Sequence, residues 1–271
     1  MLYIYAITAA AAVVCHGIIS LAIRRFGWQK ENFRKEKIPY VFGLYIVSYG
    51  AIGAVLARYT RYGSHDANLY LIVLLGFGIL GFIDDVFGSR NVGGFRGHFK
   101  KLLLEGKLTT GAAKALGGGI IALYLAYQAS GGRIGMWALD TVVIALAANT
   151  INLLDLRPGR AIFAFFVGLL AAVILAWGSL SAPLAVAVIA AAAIVVAHYD
   201  RRGLAMLGDV GSNTLGAVLG LTLALDAPVA GKAAAAAFFF VINLFSERRS
   251  ISELIEHNNV LSRIDSKLGV R

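Results

Sequence analysis

Apolar residues in this chain run in long blocks rather than in short alternation. Nine such stretches, approximately 2–23, 39–57, 68–85, 111–129, 137–154, 161–178, 181–198, 212–228 and 231–246, are separated by polar segments. Most approach the roughly 20 residues a helix needs to cross a bilayer, where a helix satisfies its backbone polar groups internally. The pattern predicts an all-α fold: a polytopic membrane helical bundle of about nine transmembrane helices.

Composition agrees with that pattern. Of 271 residues 59% are hydrophobic and 15% charged, with a mean hydropathy of +0.75, whereas a soluble domain carries about 25% charge. The net charge of +10 is a matter of sidedness rather than of nucleic-acid binding. With the N-terminus outside, 21 of the 25 Lys and Arg residues fall on one face. Only Arg58, Arg61, Arg133 and Lys232 fall on the other. Basic loops stay cytoplasmic, so the N-terminus is expected outside and the C-terminus inside, in the cell membrane. Arg24 and Arg25 follow the first apolar stretch instead of preceding it, which argues against a cleaved signal peptide. A single cysteine, Cys15, excludes disulfides within the chain and Cys-based zinc sites.

The organisation reads as a transmembrane domain over 1–246, with cytoplasmic loops 24–38, 86–110, 155–160 and 199–211. A cytoplasmic amphipathic tail follows over 247–271, with Ile251, Leu254, Ile255, Leu261, Ile264 and Leu268 at helical spacing, suited to lying on the membrane or against the inner loops. The polar inner loops make the cytoplasmic face the working one.

Three acidic stations stand at ends of apolar stretches on that face. The first is Gly81-Phe82-Ile83-Asp84-Asp85. Its two carboxylates point about 100° apart on a helix and suit different tasks, one toward a metal and one toward a phosphate. Pairing with Arg90 or Arg96 is the plainer alternative. The second runs from Asn149 through Asn152 to Asp155; three-residue spacing puts both amides and the carboxylate within one arc. Partners on other helices explain the amides equally well. Arg157 and Arg160 follow and could clamp a phosphate. The third is Gly208-Asp209-Val210-Gly211-Ser212-Asn213, a Gly-flanked turn in which Ser212 or Asn213 is expected to N-cap the next helix. Such a turn can turn backbone amides toward an anion.

A carboxylate at the hydrocarbon edge is costly unless paired, hydrated or bound to a metal. Mg²⁺ binds through one or two carboxylates plus substrate phosphates, and Asp84 and Asp209 are the candidate ligands, with Mn²⁺ as the substitute ion. Lys35, Lys37, Arg96, Lys100 and Lys101 are available for diphosphate or lipid phosphate. Among the histidines only His98 invites attention. A transporter would carry its acids near the bilayer midplane, not at helix ends.

At these residues the chain resembles the polyprenyl-phosphate N-acetylhexosamine-1-phosphate transferases, which include phospho-N-acetylmuramoyl-pentapeptide transferase. The matching pieces are Gly81–Asp85, Asn149–Asp155 and Gly208–Ser212 with Leu215-Gly216, and more weakly Arg34-Lys35, Lys37-Ile38-Pro39 and Gly97–Lys100. The resemblance implies transfer of a sugar-1-phosphate from a UDP-sugar to polyprenyl phosphate, with release of UMP and a need for Mg²⁺, in cell-envelope polysaccharide or peptidoglycan synthesis. It implies Asp209 as a magnesium ligand, Asp84 and Asp85 as catalytic residues, and Asp155 in the nucleotide-sugar pocket, with Asn149 and Asn152 beside it. A homodimer is a candidate assembly.

The chain also departs from that family. Asp155 is followed by Leu156-Arg157-Pro158-Gly159 where the family usually has Gly-x-Asp-Gly. The family's His-rich inner loop is reduced to His257, and nine spans stand where ten are usual. A catalytically silent relative that binds polyprenyl phosphate or scaffolds envelope assembly is the alternative.

Overall fold

A computed structural model describes residues 2–32, 34–59, 66–88 and 110–270. Among them the chain forms eleven helices and one two-stranded ribbon. The helices are α1 (Leu2–Phe26), α2 (Leu44–Tyr59), α3 (Ala67–Phe87), α4 (Thr110–Ser130), α5 (Ile134–Leu154), α6 (Arg160–Leu175), α7 (Pro183–Asp200), α8 (Gly208–Asp226), α9 (Val229–Ser246), α10 (Ile251–His257) and α11 (Asn259–Leu268). Between α1 and α2, β1 (Gln29–Glu31) and β2 (Lys37–Pro39) pair antiparallel with Lys30 opposite Ile38.

Among the described residues five helices are long and apolar enough to cross a membrane: α1 over Ala9–Phe26, α3, α5, α7 and α9. α2 and α6 are shorter apolar helices. α4 and α8 fall outside both sets because polar and glycine residues dilute them: Thr110, Lys114 and Gly117–Gly119 in one, Asp209, Ser212, Asn213 and Thr214 in the other. Yet α8 is the centre of the bundle, with every residue from Val210 to Ala224 buried and α3, α5 and α6 packed around it. Small side chains let helices approach closely where lipid offers no hydrophobic drive for association. The outer helices show the opposite character. α1 exposes Val13, Val14, Ile18 and Leu21, and α9 exposes Phe238, Phe240, Val241 and Leu244.

Several polar side chains join helices. Tyr70 and Thr222 share a buried hydrogen bond of 2.9 Å between α3 and α8. Asn149 donates to Asn243, and Asn243 donates to Thr150 at 2.8 Å, tying α5 to α9.

Two expectations change. α8 begins at Gly208 rather than near 212, so Ser212 and Asn213 lie inside it and do not cap it. Ser212 Oγ bonds Gly208 O and Asn152 Oδ1, and Asn213 Nδ2 donates to Asp209 O. The tail is two helices rather than one. Asn258 breaks it by adopting an extended backbone, and its side chain accepts from the amides of Val260 and Leu261 as the N-cap of α11, a role Asn is suited to.

Ion pairs and hydrogen bonds tie helix ends that are distant in sequence. The ends of α3, α5 and α7 therefore gather with the starts of α4, α6 and α8. That end carries the three acidic stations.

Candidate functional site

The site begins with a close crossing of α3 and α8. A Cβ on Gly81 would run into the Asp209 carbonyl and lie 2.6 Å from Val210 Cα, so a residue without a side chain is required there. Gly208 opens α8 with φ +72, and a Cβ on it would meet Asp85 Oδ2 at 2.7 Å. Backbone bonds brace the junction, since Met206 N donates to Pro39 O at 2.8 Å and Gly43 N to Leu207 O at 2.9 Å. The ribbon is seated by Trp28, whose ring meets Phe82 edge-on at 4.9 Å.

This crossing fixes Asp84, Asp85 and Asp209 together. Lys114, in the first turns of α4, places its ammonium 2.8 Å from Asp84 Oδ2 and in contact with Asp209 Oδ2. All three side chains stay partly open, at 18–28% exposure. Two carboxylates thus converge on one cationic point. Asp85 does another job: its Oδ2 accepts from Val210 N at 3.0 Å. The free amide and positive dipole end of α8 are directed to this carboxylate, which holds the two helix ends in register.

Beside Asp209 opens a cavity of about 530 Å³, lined by Asp85, Asp155, Asp200, Arg157 and Lys30 among others. That volume lies within the roughly 300–1,000 Å³ of small-molecule sites. Asp155 ends α5 as its C-cap. Burial, and then the charges of Asp200, Asp209 and Asp85, hold its carboxyl well above the ordinary carboxylate range. Lys30 lies over the Tyr40 ring, 3.8 Å from its centroid, and donates to Asp85 O at 3.2 Å.

The other expected residues are dispersed. Asn152 faces inward and accepts from Ser212, whereas Asn149 bonds Asn243 on α9 and does not line the cavity. The shared arc of Asn149, Asn152 and Asp155 is thus divided between two jobs, because α5 meets both α8 and α9. Arg157 lines the cavity while pairing with Glu256 of the tail. Arg160 is buried and not on the cavity: its Nε and Nη2 donate to Asp265 Oδ1 and Oδ2, and Nη1 donates to Ser252 Oγ at 2.8 Å. Its expected place on phosphate is taken by a structural role. Lys35, at φ 61, and Lys37 are exposed residues of the ribbon region and do not line the cavity. Lys100, with Arg90, Arg96, His98 and Lys101, lies outside the described residues.

Sequence reasoning missed Lys114 and Asp200. Lys114 carries a signal, a lone cation within an apolar block. Asp200 carries the same one as the other stations, a carboxylate at the end of an apolar segment. Its Oδ2 accepts from Gly159 N at 2.7 Å, so it anchors the Asp155–Arg160 loop.

The donor set fits a hard cation in part. Among the described residues no group of three or more His, Cys, Asp or Glu could hold a metal ion. Two carboxylates already gathered on an ammonium match an ion that takes one or two carboxylates and completes its shell with water and phosphate. No protein-family model matches the chain, and no curated protein sequence matches it.

Proposed function

We propose that the chain is a Mg²⁺-dependent glycosyl-1-phosphate transferase of the cell membrane, moving an N-acetylhexosamine-type sugar-1-phosphate from a UDP-sugar to polyprenyl phosphate. The observation that carries this reading is the convergence of Asp84 and Asp209 on one cationic point beside a cavity lined by Asp85 and Asp155. In this reading nine segments span the membrane with the N-terminus outside, and the acidic end faces the cytosol, where a soluble nucleotide and a lipid headgroup meet.

Each group then has a task. Asp84 and Asp209 would hold Mg²⁺, which neutralises charge developing on the transferred phosphoryl group. Lys114, already between them, is placed to pair with a phosphate oxygen once the carboxylates have another cation. An oxygen of the lipid phosphate attacks the sugar-bearing phosphorus and stays in the new lipid diphosphate, while the bond from that phosphorus to the bridging oxygen breaks and UMP leaves carrying the bridging oxygen. Asp85 keeps the ends of α3 and α8 in place through Val210 N. Asp155 and Arg157 face the nucleotide-sugar side.

The test uses purified protein, undecaprenyl phosphate, Mg²⁺ and labelled UDP-GlcNAc or UDP-MurNAc-pentapeptide. Labelled lipid and UMP are expected, and both are lost in Asp209→Asn. No UMP from any UDP-sugar would overturn the assignment. A silent lipid-binding relative is the second reading, favoured by the engagement of Arg160 away from the cavity. It predicts polyprenyl-phosphate binding indifferent to Mg²⁺ and to Asp209→Asn.

A further inference from the structure

The tail buries Ile251 at its start, but its attachment to the cavity loops is made by polar groups. Leu254, Leu261 and Ile264 stay exposed at 40–47%, while Asp265 is buried against Arg160. Arg157 pairs with Glu256. Arg201 Nε donates to Leu268 O at 2.8 Å, and Val270 N returns a bond to Arg201 O at 2.8 Å. The backbones touch as well. A Cβ on Gly269 would lie 2.6 Å from Pro158 O, and one on Gly159 3.0 Å from the Leu268 carbonyl carbon. Every one of these anchors lies in segment 157–160 or at 201, the two loops that follow Asp155 and Asp200. Val270 completes the contact by lining the cavity together with Asp155, Arg157 and Pro158.

A guanidinium and a carboxylate are costly to desolvate, and they persist in the interior when geometry and further hydrogen bonds satisfy them. The bidentate Arg160–Asp265 pair with Ser252 meets that condition. It fixes α11 and the residues after it against a loop that the cavity shares.

We propose that residues 265–270 form a strap that is one wall of the nucleotide-sugar side of the cavity, with Val270 a specificity-determining residue and Arg160–Asp265 its positioning pair. This rests on the transferase reading for the identity of the ligand. Val270 adds an aliphatic residue to the lining of the cavity that also holds Asp155, so the strap selects for the nucleoside or sugar portion of the donor and leaves the polyprenyl chain untouched.

Cys15 is the single cysteine, so a Cys15→Ala chain carrying Val270→Cys offers one thiol on the cavity wall. UMP with Mg²⁺ is expected to slow its reaction with a maleimide several-fold, while Leu261→Cys, on the exposed side of the tail, reacts at an unchanged rate. In turnover, Asp265→Asn is expected to raise KM for the UDP-sugar about fivefold with kcat and the lipid-phosphate KM nearly unchanged, as for a lost ground-state contact. If the parent chain releases UMP but UMP leaves Val270→Cys labelling unaltered, the strap is overturned and the transferase reading stands. Equal losses for donor and lipid in Asp265→Asn overturn it too. If UMP is neither released nor protective, both fall.

Discussion

Lysine meets aspartate near both ends of this bundle, in surroundings that differ in kind. Near the starts of α5 and α9, Lys232 lies 2.9 Å from Asp140 and also bonds Ala224 O at the end of α8. Both side chains are sealed, at 7% and 0% exposure. At the other end Lys114 serves two carboxylates, all three partly open and adjoining a cavity through Asp209. One cation with one acid and no opening is a closed pair that joins helices. One cation with two acids and an opening is a site with spare ligand capacity. The same two residue types therefore make a structural joint in one place and chemistry in the other, and access and stoichiometry decide which.

The largest effect that would break this contrast is on turnover. Lys114→Met should lower UMP release by about 10²–10³-fold, the size expected for loss of a fixed electrostatic group, with the helical far-UV circular dichroism unchanged. The sealed pair should respond in stability instead. Lys232→Met leaves Asp140 buried without its ammonium partner, which costs about 3–5 kcal/mol and lowers the Tm by roughly 10 °C or more in differential scanning fluorimetry. Adding Asp140→Leu to Lys232→Met should recover most of that loss, because an apolar replacement of both partners is often neutral. If Lys114→Met proves the less stable variant and Lys232→Met the less active one, the contrast is reversed.

A smaller effect sharpens it. Mg²⁺ should raise the Tm of Lys114→Met more than that of the parent chain, because the metal then no longer competes with the ammonium for Asp84 and Asp209. Equal shifts would mean that the two cations do not share a point. The smallest effect concerns Asp155. Its folded pKa is raised, so ionising it opposes folding; the penalty is absent below its unfolded value near pH 4 and grows as pH rises toward the folded value. Asp155→Asn should therefore gain a few degrees of Tm at pH 8 and almost none at pH 4, a difference readable in a pH series of thermal scans.

Much of the helical layout was legible because long apolar blocks dictate helices in lipid, and five of those helices qualify as spans. The most buried helix was the hardest to appreciate. α8 reads as a diluted apolar segment because its glycines, Ser212, Asn213 and Thr214 are the residues that let neighbours reach it. Its start was misplaced by about one turn because the Gly208–Gly211 run looks like a loop, while Asp85 accepts the Val210 amide and allows the helix to open at Gly208. Arg160 looked like a phosphate clamp because nothing in its neighbourhood shows that Asp265, more than a hundred residues later, occupies it. Lys114 was grouped with the topology charges because its two partners come from other helices.

The order of apolar blocks and polar breaks, by itself, determined which segments are helical and set the three acidic stations beside helix ends. Each crossing reverses the chain, so counting segments is enough to assign an end. Which acids share a cation, which amide turns outward and which arginine is sealed were decided only by lateral packing around α8. Contacts such as Gly81 against Asp209 join residues distant in sequence, and helical periodicity records the angle of a side chain but not the neighbour it meets.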